Sequence, residues 1–226
     1  MSLNDDVFLL AIRGTLKAKT QDEARDIHNA TAGNPEGVAA ARALGDLSHN
    51  VYVPLVDTQG SAGELLILDL WNNLEGFNNF FSNKQVQEGG AMIFAPGANR
   101  ELWSPAHDIR AFVLPTPPGK NDRYVGLLRA TVRSRDAAKA AFDQIAKSSI
   151  NAARMEGQIS HELFFRMSPP GQPATLDVLG VDVWMDAAGM GRFYSQARHV
   201  EALREVFTGP PATSTWKRPA GTWIEW

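Results

Sequence analysis

An internal repeat is the strongest constraint on this chain. Trp71-x4-Gly76-x3-Phe80-x-Ser82 recurs at identical spacing as Trp184-x4-Gly189-x3-Phe193-x-Ser195. Upstream of it, Leu66-Leu68-Leu70 matches Leu179-Val181-Val183, and Asp69 matches Asp182. Earlier still, Gly45-Asp46-Leu47-Ser48-His49 matches Gly157-Gln158-Ile159-Ser160-His161, and Ile12-Arg13-Gly14-Thr15 matches Leu128-Arg129-Ala130-Thr131. Near the ends of the copies, Trp103 matches Trp216. The matches keep their order while the offset drifts only from 116 to 112 to 113. Such self-similarity means one supersecondary unit used twice. The stretch Leu114-Pro115-Thr116-Pro117-Pro118-Gly119-Lys120-Asn121-Asp122 separates the copies as a semi-rigid connector. The expected division is therefore 1–113, a linker at 114–122, and 123–226.

Each copy reads strand, helix, strand, strand, helix, strand. The first strand is expected at Val7–Leu16 and Tyr124–Val132, the second at Leu47–Leu55 and Ile159–Met167, the third at Glu64–Trp71 and Leu176–Trp184. On the second strand Leu47, His49, Val51, Val53 and Leu55 fall on one face, as do Ile159, His161, Leu163, Phe165 and Met167. The third strand is apolar on both faces, which predicts cover on both sides. Between the first two strands, Asp136–Ala146 has helical spacing with Ser134 as its cap, and in copy one Asn34-Pro35 is expected to split the helix. Phe193, Ala197, Val200 and Leu203 form the stripe of the second helix in copy two, and Asp57–Gly63 and Ser168–Pro173 read as hairpin loops. The expected class is α+β: two tandem ferredoxin-like βαββαβ units. A four-stranded sheet with helices on one face leaves the other bare. Packing the two sheets together, as an intramolecular α/β barrel with a pseudo-twofold axis, is the simplest way to cover both.

Composition then narrows the function. Of 226 residues, 22 are Lys or Arg and 25 Asp or Glu, a net charge of −3, which argues against nucleic acid or an anionic membrane as partner. The absence of cysteine excludes disulfides, thiolate metal sites and a Cys nucleophile, and is compatible with a cytoplasmic location. Val7–Ile12 is far shorter than the ~20 residues of a membrane span and follows Asp5-Asp6 rather than a basic segment. Nucleotide-binding and nucleophile-elbow motifs and His-Glu-x-x-His are missing from the sequence.

The order Gly-x-Leu/Ile-Ser-His, an acid two residues before a Trp, then a helix ending in a Phe-x-Ser or His-Val turn, resembles the dimeric α/β-barrel superfamily, and within it the antibiotic-biosynthesis-monooxygenase-like branch. Members usually carry Glu-x-Trp on the third strand, where this chain has Asp69 and Asp182. The resemblance implies a site in each unit between the helices and the helix-facing side of the sheet. It also implies a small-molecule ligand and oxygenation of an aromatic or polyketide-like compound without metal or flavin. Because this superfamily hosts several chemistries, a non-catalytic or stress-associated binding barrel is the alternative, and haem binding a distant third. Fusion of the copies removes the need for a homodimer without forbidding one.

His49 and His161 occupy one position in both copies on an apolar face, so each is a candidate base for the proton abstraction that cofactor-free oxygenation requires, or else a buried strand histidine bonded to backbone. Asp69 and Asp182 interrupt apolar strands and must be paired or protonated; Arg13 and Arg129, also repeated, are the expected partners, as register-fixing pairs or as catalytic supports. His199 in copy two, where copy one has Val86, is a candidate ligand contact or an exposed helix residue, and the resemblance implies that it is the one conceivable axial haem ligand. Trp71 and Trp184 are either ligand platforms or core.

Overall fold

The computed structural model describes residues 7–56, 63–115, 122–169, 171–196, 201 and 203–226. They form two compact units: Met1–Leu102 together with Arg218–Trp226, and Trp103–Lys217. The sequence division at 114–122 does not anticipate that residues 218–226, which follow copy two in the chain, are part of the first unit.

In unit one the elements are β1 (Phe8–Thr15), α1 (Gln21–Ala30), α2 (Pro35–Ala43), β2 (Asp46–Pro54), β3 (Glu64–Trp71), α3 (Leu74–Ser82), α4 (Lys84–Ile93) and, as far as Leu102, β4 (Asn99–Pro105), with strand order β4-β1-β3-β2. Unit two contains β5 (Phe112–Val113), β6 (Tyr124–Thr131), α5 (Arg135–Met155), β7 (Gln158–Arg166), β8 (Asp177–Trp184), α6 (Ala187–Tyr194) and β9 (Ala212–Lys217), in the order β9-β6-β8-β7-β5. The ferredoxin-like α+β plan is present in both. The short β5 is an addition: Phe112 and Val113 pair with His161 and Ser160, and Leu114 N–H donates to Ile159 O, so the start of the expected connector is strand edge. Residues 116–121 of the connector, 57–62 and Pro170 of the hairpin loops, and Ala197 to Val200 of the expected stripe lie outside the described residues.

Local chemistry explains the helices. Thr20 and Ser134 cap α1 and α5 through their hydroxyls, accepting from Glu23 N–H and Ala137 N–H, and both caps have extended backbone. Asn34 caps α2 with Pro35 just inside, as the dipeptide predicts. Without a proline, α5 runs for 21 residues, well past the expected end at Ala146. The repeated Gly76 and Gly189 have a steric origin: a Cβ would fall 1.9 Å from Leu44 O in one copy and from Glu156 O in the other. Only glycine lets the start of α3 or α6 approach the end of the preceding helix.

The central strands are covered on both faces. Leu65 to Asp69 are all buried along β3, as are Val178, Leu179 and Val181 along β8. Trp71 is packed among Phe77, Phe80 and Phe81, and Trp184 against Phe193 and Tyr194. Unit two buries a further cluster that includes Phe142, Leu163, Phe165 and Phe207. Each such side chain contributes about 1.5–3 kcal/mol of burial. No helix among the described residues is long and apolar enough to cross a membrane.

Candidate functional site

The antiparallel register places His49 directly opposite Asp69, and His161 directly opposite Asp182. Cross-strand neighbours share a face, so each imidazole meets its carboxylate: His49 Nδ1 lies 2.8 Å from Asp69 Oδ1, and His161 Nδ1 lies 2.7 Å from Asp182 Oδ1. The expected Arg–Asp pairing is corrected here. Arg13 stands opposite Leu66 and Arg129 opposite Leu179, three residues from the acids. With a side-chain period of two, that spacing turns them to the other face. Arg13 instead makes a two-pronged contact with Glu64 (3.2 and 2.8 Å), and the Arg129 guanidinium lies over the Trp103 ring.

A β-bulge between Asp46 and Ser48 adds one residue to β2. Asp46 and His49, three apart, thereby share the helix-facing side, while Leu47, expected on the face of His49, is 47% exposed. Asp46 is buried, and among the described residues its Oδ1 has no hydrogen-bond partner. Burial, and then the neighbouring Asp69 charge, push its carboxyl up to about 8.

On the other side of His49 stands His28, from α1, fully buried with its Nε2 2.9 Å from His49 Nε2 and the rings stacked. Burial, and secondarily the His49 charge, lower His28 to about 4, so it is neutral at physiological pH. Burial works against a charged His49 as well, but Asp69 more than offsets it, assisted by Asp46 and Glu225, and the net shift is upward. Residues 218–226 complete this layer. Trp226 stacks on His49 at 4.5 Å between ring centres, exchanging backbone hydrogen bonds with it in both directions, and Trp223 packs on His28. The indole N–H of Trp226 lies beside the Asp46 carboxyl.

Several of these groups line a cavity of about 1110 Å³ within unit one, His28 and Trp223 standing outside its lining, and it is roomy against the ~300–1,000 Å³ of small-molecule sites. Asp46, His49, Asp69 and Trp226 form its polar wall, Ile12 and Ile67 the sheet floor, and Phe80, Phe81 and the residues of α4 the opposite side. Trp71, on the same face of β3 as Ile67 and Asp69, packs against Phe80 and Phe81 and is not itself a lining residue.

Unit two surrounds the same Asp–His pair differently. Tyr194 O–H donates to Asp182 Oδ2 (2.6 Å) and accepts from Trp184 Nε1 (3.3 Å); burial and Asp182 raise the phenol well above its ordinary range. Room for that hydroxyl exists because residue 126 is glycine: a Cβ there would lie 2.2 Å from the tyrosine oxygen. His161 is raised, its burial outweighed by Asp182, and its Nε2 has no hydrogen-bond partner among the described residues. His199 lies outside the described residues.

Sequence reasoning overlooked His28 and Asp46, and both were visible in the repeat. Aligning the helix caps Thr20 and Ser134 puts Ala24 on Ala138 and His28 on Phe142, all four buried. A histidine that replaces a core phenylalanine is a polar group with a reason to be there. Asp46 aligns with Gln158 in the matched pentapeptides, an ionisable acid against an amide.

No family model and no curated protein matches this chain. Solved structures do. An anthrone oxidase-like protein aligns over 97% of this chain and 94% of its own at 16% identity, with a TM-score of 0.63. A candidate monooxygenase of Fusobacterium nucleatum aligns over 97% of both chains at 14% identity and a TM-score of 0.61. A ferredoxin-fold protein of Listeria monocytogenes related to antibiotic biosynthesis monooxygenases aligns over 98% of this chain and 100% of its own, at 8% identity and a TM-score of 0.51. What this chain shares with these structures is the fold, a ferredoxin-like α+β unit in each half of one chain.

Proposed function

We propose that this chain is a cofactor-independent oxygenase whose working site is the unit-one cavity, and that its substrate is a small aromatic compound with an acidic O–H or C–H, of the phenol, quinol or anthrone kind. The observation that carries the reading is Asp46, a buried carboxyl with raised proton affinity on the wall of a cavity large enough for a fused-ring compound. A base whose pKa lies near the working pH combines availability with driving force. Ionised Asp46 takes the substrate proton, and the His49–Asp69 pair beside it supplies a fixed positive pole next to the anion that forms. The substrate anion then passes one electron to O2 and recombines with the superoxide so formed. Loss of water from the peroxide leaves a new carbonyl, so that one substrate and one O2 give one oxidised product and one water. Gln158 at the matching position of unit two cannot act as this base.

Oxygen uptake with a panel of phenols, quinols and anthrones, without added cofactor, tests the reading. Uptake by the wild type is expected to rise with pH through about 8 as Asp46 ionises. Asp46→Asn is expected to reduce it by about 10²-fold or more, while His161→Ala leaves it unchanged. Uptake that survives Asp46→Asn removes Asp46 as the base. A wild type that binds such aromatics and consumes no oxygen with any of them identifies a binding protein instead.

A further inference from the structure

We propose that Asn29 is a positioning residue that fixes the direction of the His28–His49 hydrogen bond and so keeps a proton on His49 Nε2, leaving that histidine no basic nitrogen to offer the cavity. The argument is an inventory of donors and acceptors. Ile224 N–H donates to Asn29 Oδ1 (3.0 Å), and Asn29 Nδ2 donates to Thr222 O (2.8 Å). Two backbone groups of opposite sense therefore set which end of the amide is oxygen. His28 Nδ1 lies 3.0 Å from that same oxygen, so it must carry the hydrogen. A neutral imidazole protonated at Nδ1 has its lone pair at Nε2. His49 Nε2, 2.9 Å away, must then be the donor. Its Nδ1 faces Asp69 Oδ1, and that contact needs one more proton. The result is an imidazolium held between a carboxylate and a neutral histidine. The charged or titratable groups around His49 are Asp69 from β3, Asp46 from its own strand, His28 from α1, and Glu225 from residues 218–226, itself paired with Arg218.

Without Asn29 the chain of bonds can run the other way. His28 would carry its hydrogen at Nε2 and donate to a neutral His49, whose Nδ1–H still serves Asp69. That reversed state is the ordinary Asp–His dyad, with His49 neutral. Asn29 thus decides whether His49 is a cation or a neutral imidazole. The inference holds whether or not the chain is an oxygenase, because it concerns the protonation of the resting protein.

Long-range 15N–1H NMR of the full chain reads each imidazole nitrogen as protonated or bare, with the five histidines assigned by single His→Gln replacements. In the wild type between pH 6 and 8, His28 is expected to be bare at Nε2 and His49 protonated at both nitrogens. Asn29→Leu removes the acceptor at His28 Nδ1, and the pattern is expected to reverse, with His49 Nε2 bare. Asn29→Asp keeps an acceptor for His28 and Ile224 while giving up the bond to Thr222 O, so it should retain the wild-type pattern. If Asn29 only ties down residues 222–224, Asp would disturb the histidines as Leu does, which overturns the proposal. A bare His49 Nε2 in the wild type, or a pattern that Asn29→Leu leaves unchanged, overturns it equally.

Discussion

Unit one and unit two place an aspartate and a histidine at the same two positions, opposite one another across the same pair of strands, and then treat them differently. In unit one Leu10 lies opposite the acid, a second histidine caps the imidazole, and an acid, Asp46, stands at the bulge. In unit two Gly126 lies opposite the acid, a tyrosine hydroxyl caps its second oxygen, and the bulge carries Gln158. The pair itself is therefore part of the repeated framework. What a unit can do with it depends on a handful of neighbours that differ between the copies. Duplication supplied two copies of one buried ion pair, and substitution around it made one a cavity wall and the other a closed chain from Trp184 through Tyr194 and Asp182 to His161.

Removing the acid from each copy tests the comparison most severely. Asp69→Asn strands a buried imidazolium and is expected to cost about 3–5 kcal/mol. Asp182→Asn leaves a more accessible histidine and still accepts from Tyr194, so about 1–2 kcal/mol is expected. Urea unfolding at pH 7 measures both, and equal losses would show that the two surroundings are energetically equivalent. Next in size is Gly126→Ala, which drives a methyl group against Tyr194 and should cost about 1–3 kcal/mol. Part of that loss is expected to return when Tyr194→Phe is added, because the closest atom is gone; simple additivity would mean that the glycine is not there for the tyrosine.

The smallest effect depends on pH. The folded-state pKa of Asp46 is raised from the ordinary carboxylate range to about 8. Its contribution to stability is thus fully present below the unfolded pKa and is lost as pH rises through about 8. Asp46→Asn, which brings in the amide chemistry of unit two, removes that loss. The variant should gain at least about 1 kcal/mol on the wild type at pH 9 relative to pH 5, and parallel pH dependence of the two proteins would place Asp46 in a far wetter setting. The same substitution that stabilises the fold at alkaline pH is the one expected to abolish oxygen uptake.

Much of this architecture was legible from residue order. The repeat marked both units, the alternation on β2 and the double-sided apolarity of β3 located the central strands, and Asn34-Pro35 announced the break between α1 and α2. The partners of the buried acids were misread. Sequence spacing gives the parity along one strand, but only the register between strands shows which residue stands opposite which, and that register puts histidine, not arginine, across from each aspartate. The bulge was equally hidden, since an extra residue in one strand is a property of the pairing rather than of either segment. Residues 218–226 carry no repeat signal at all, and their docking on α1 and β2 depends on contacts spanning more than 170 positions in the chain.

That last arrangement bears on how the protein is made. Domains of a nascent chain tend to form in the order in which they leave the ribosome. Strands β1 to β3 and helices α1 to α4 are translated first, but the ring that stacks on His49 and the backbone that orients Asn29 arrive only after all of unit two. Until then His28 and His49 lack one wall, and water has access to groups that end up among the most buried in the protein. The scaffold of unit one can form early, whereas its proton arrangement is set by residues made only after unit two, and loops of that length are closed late because their entropy is lost before any contact repays it.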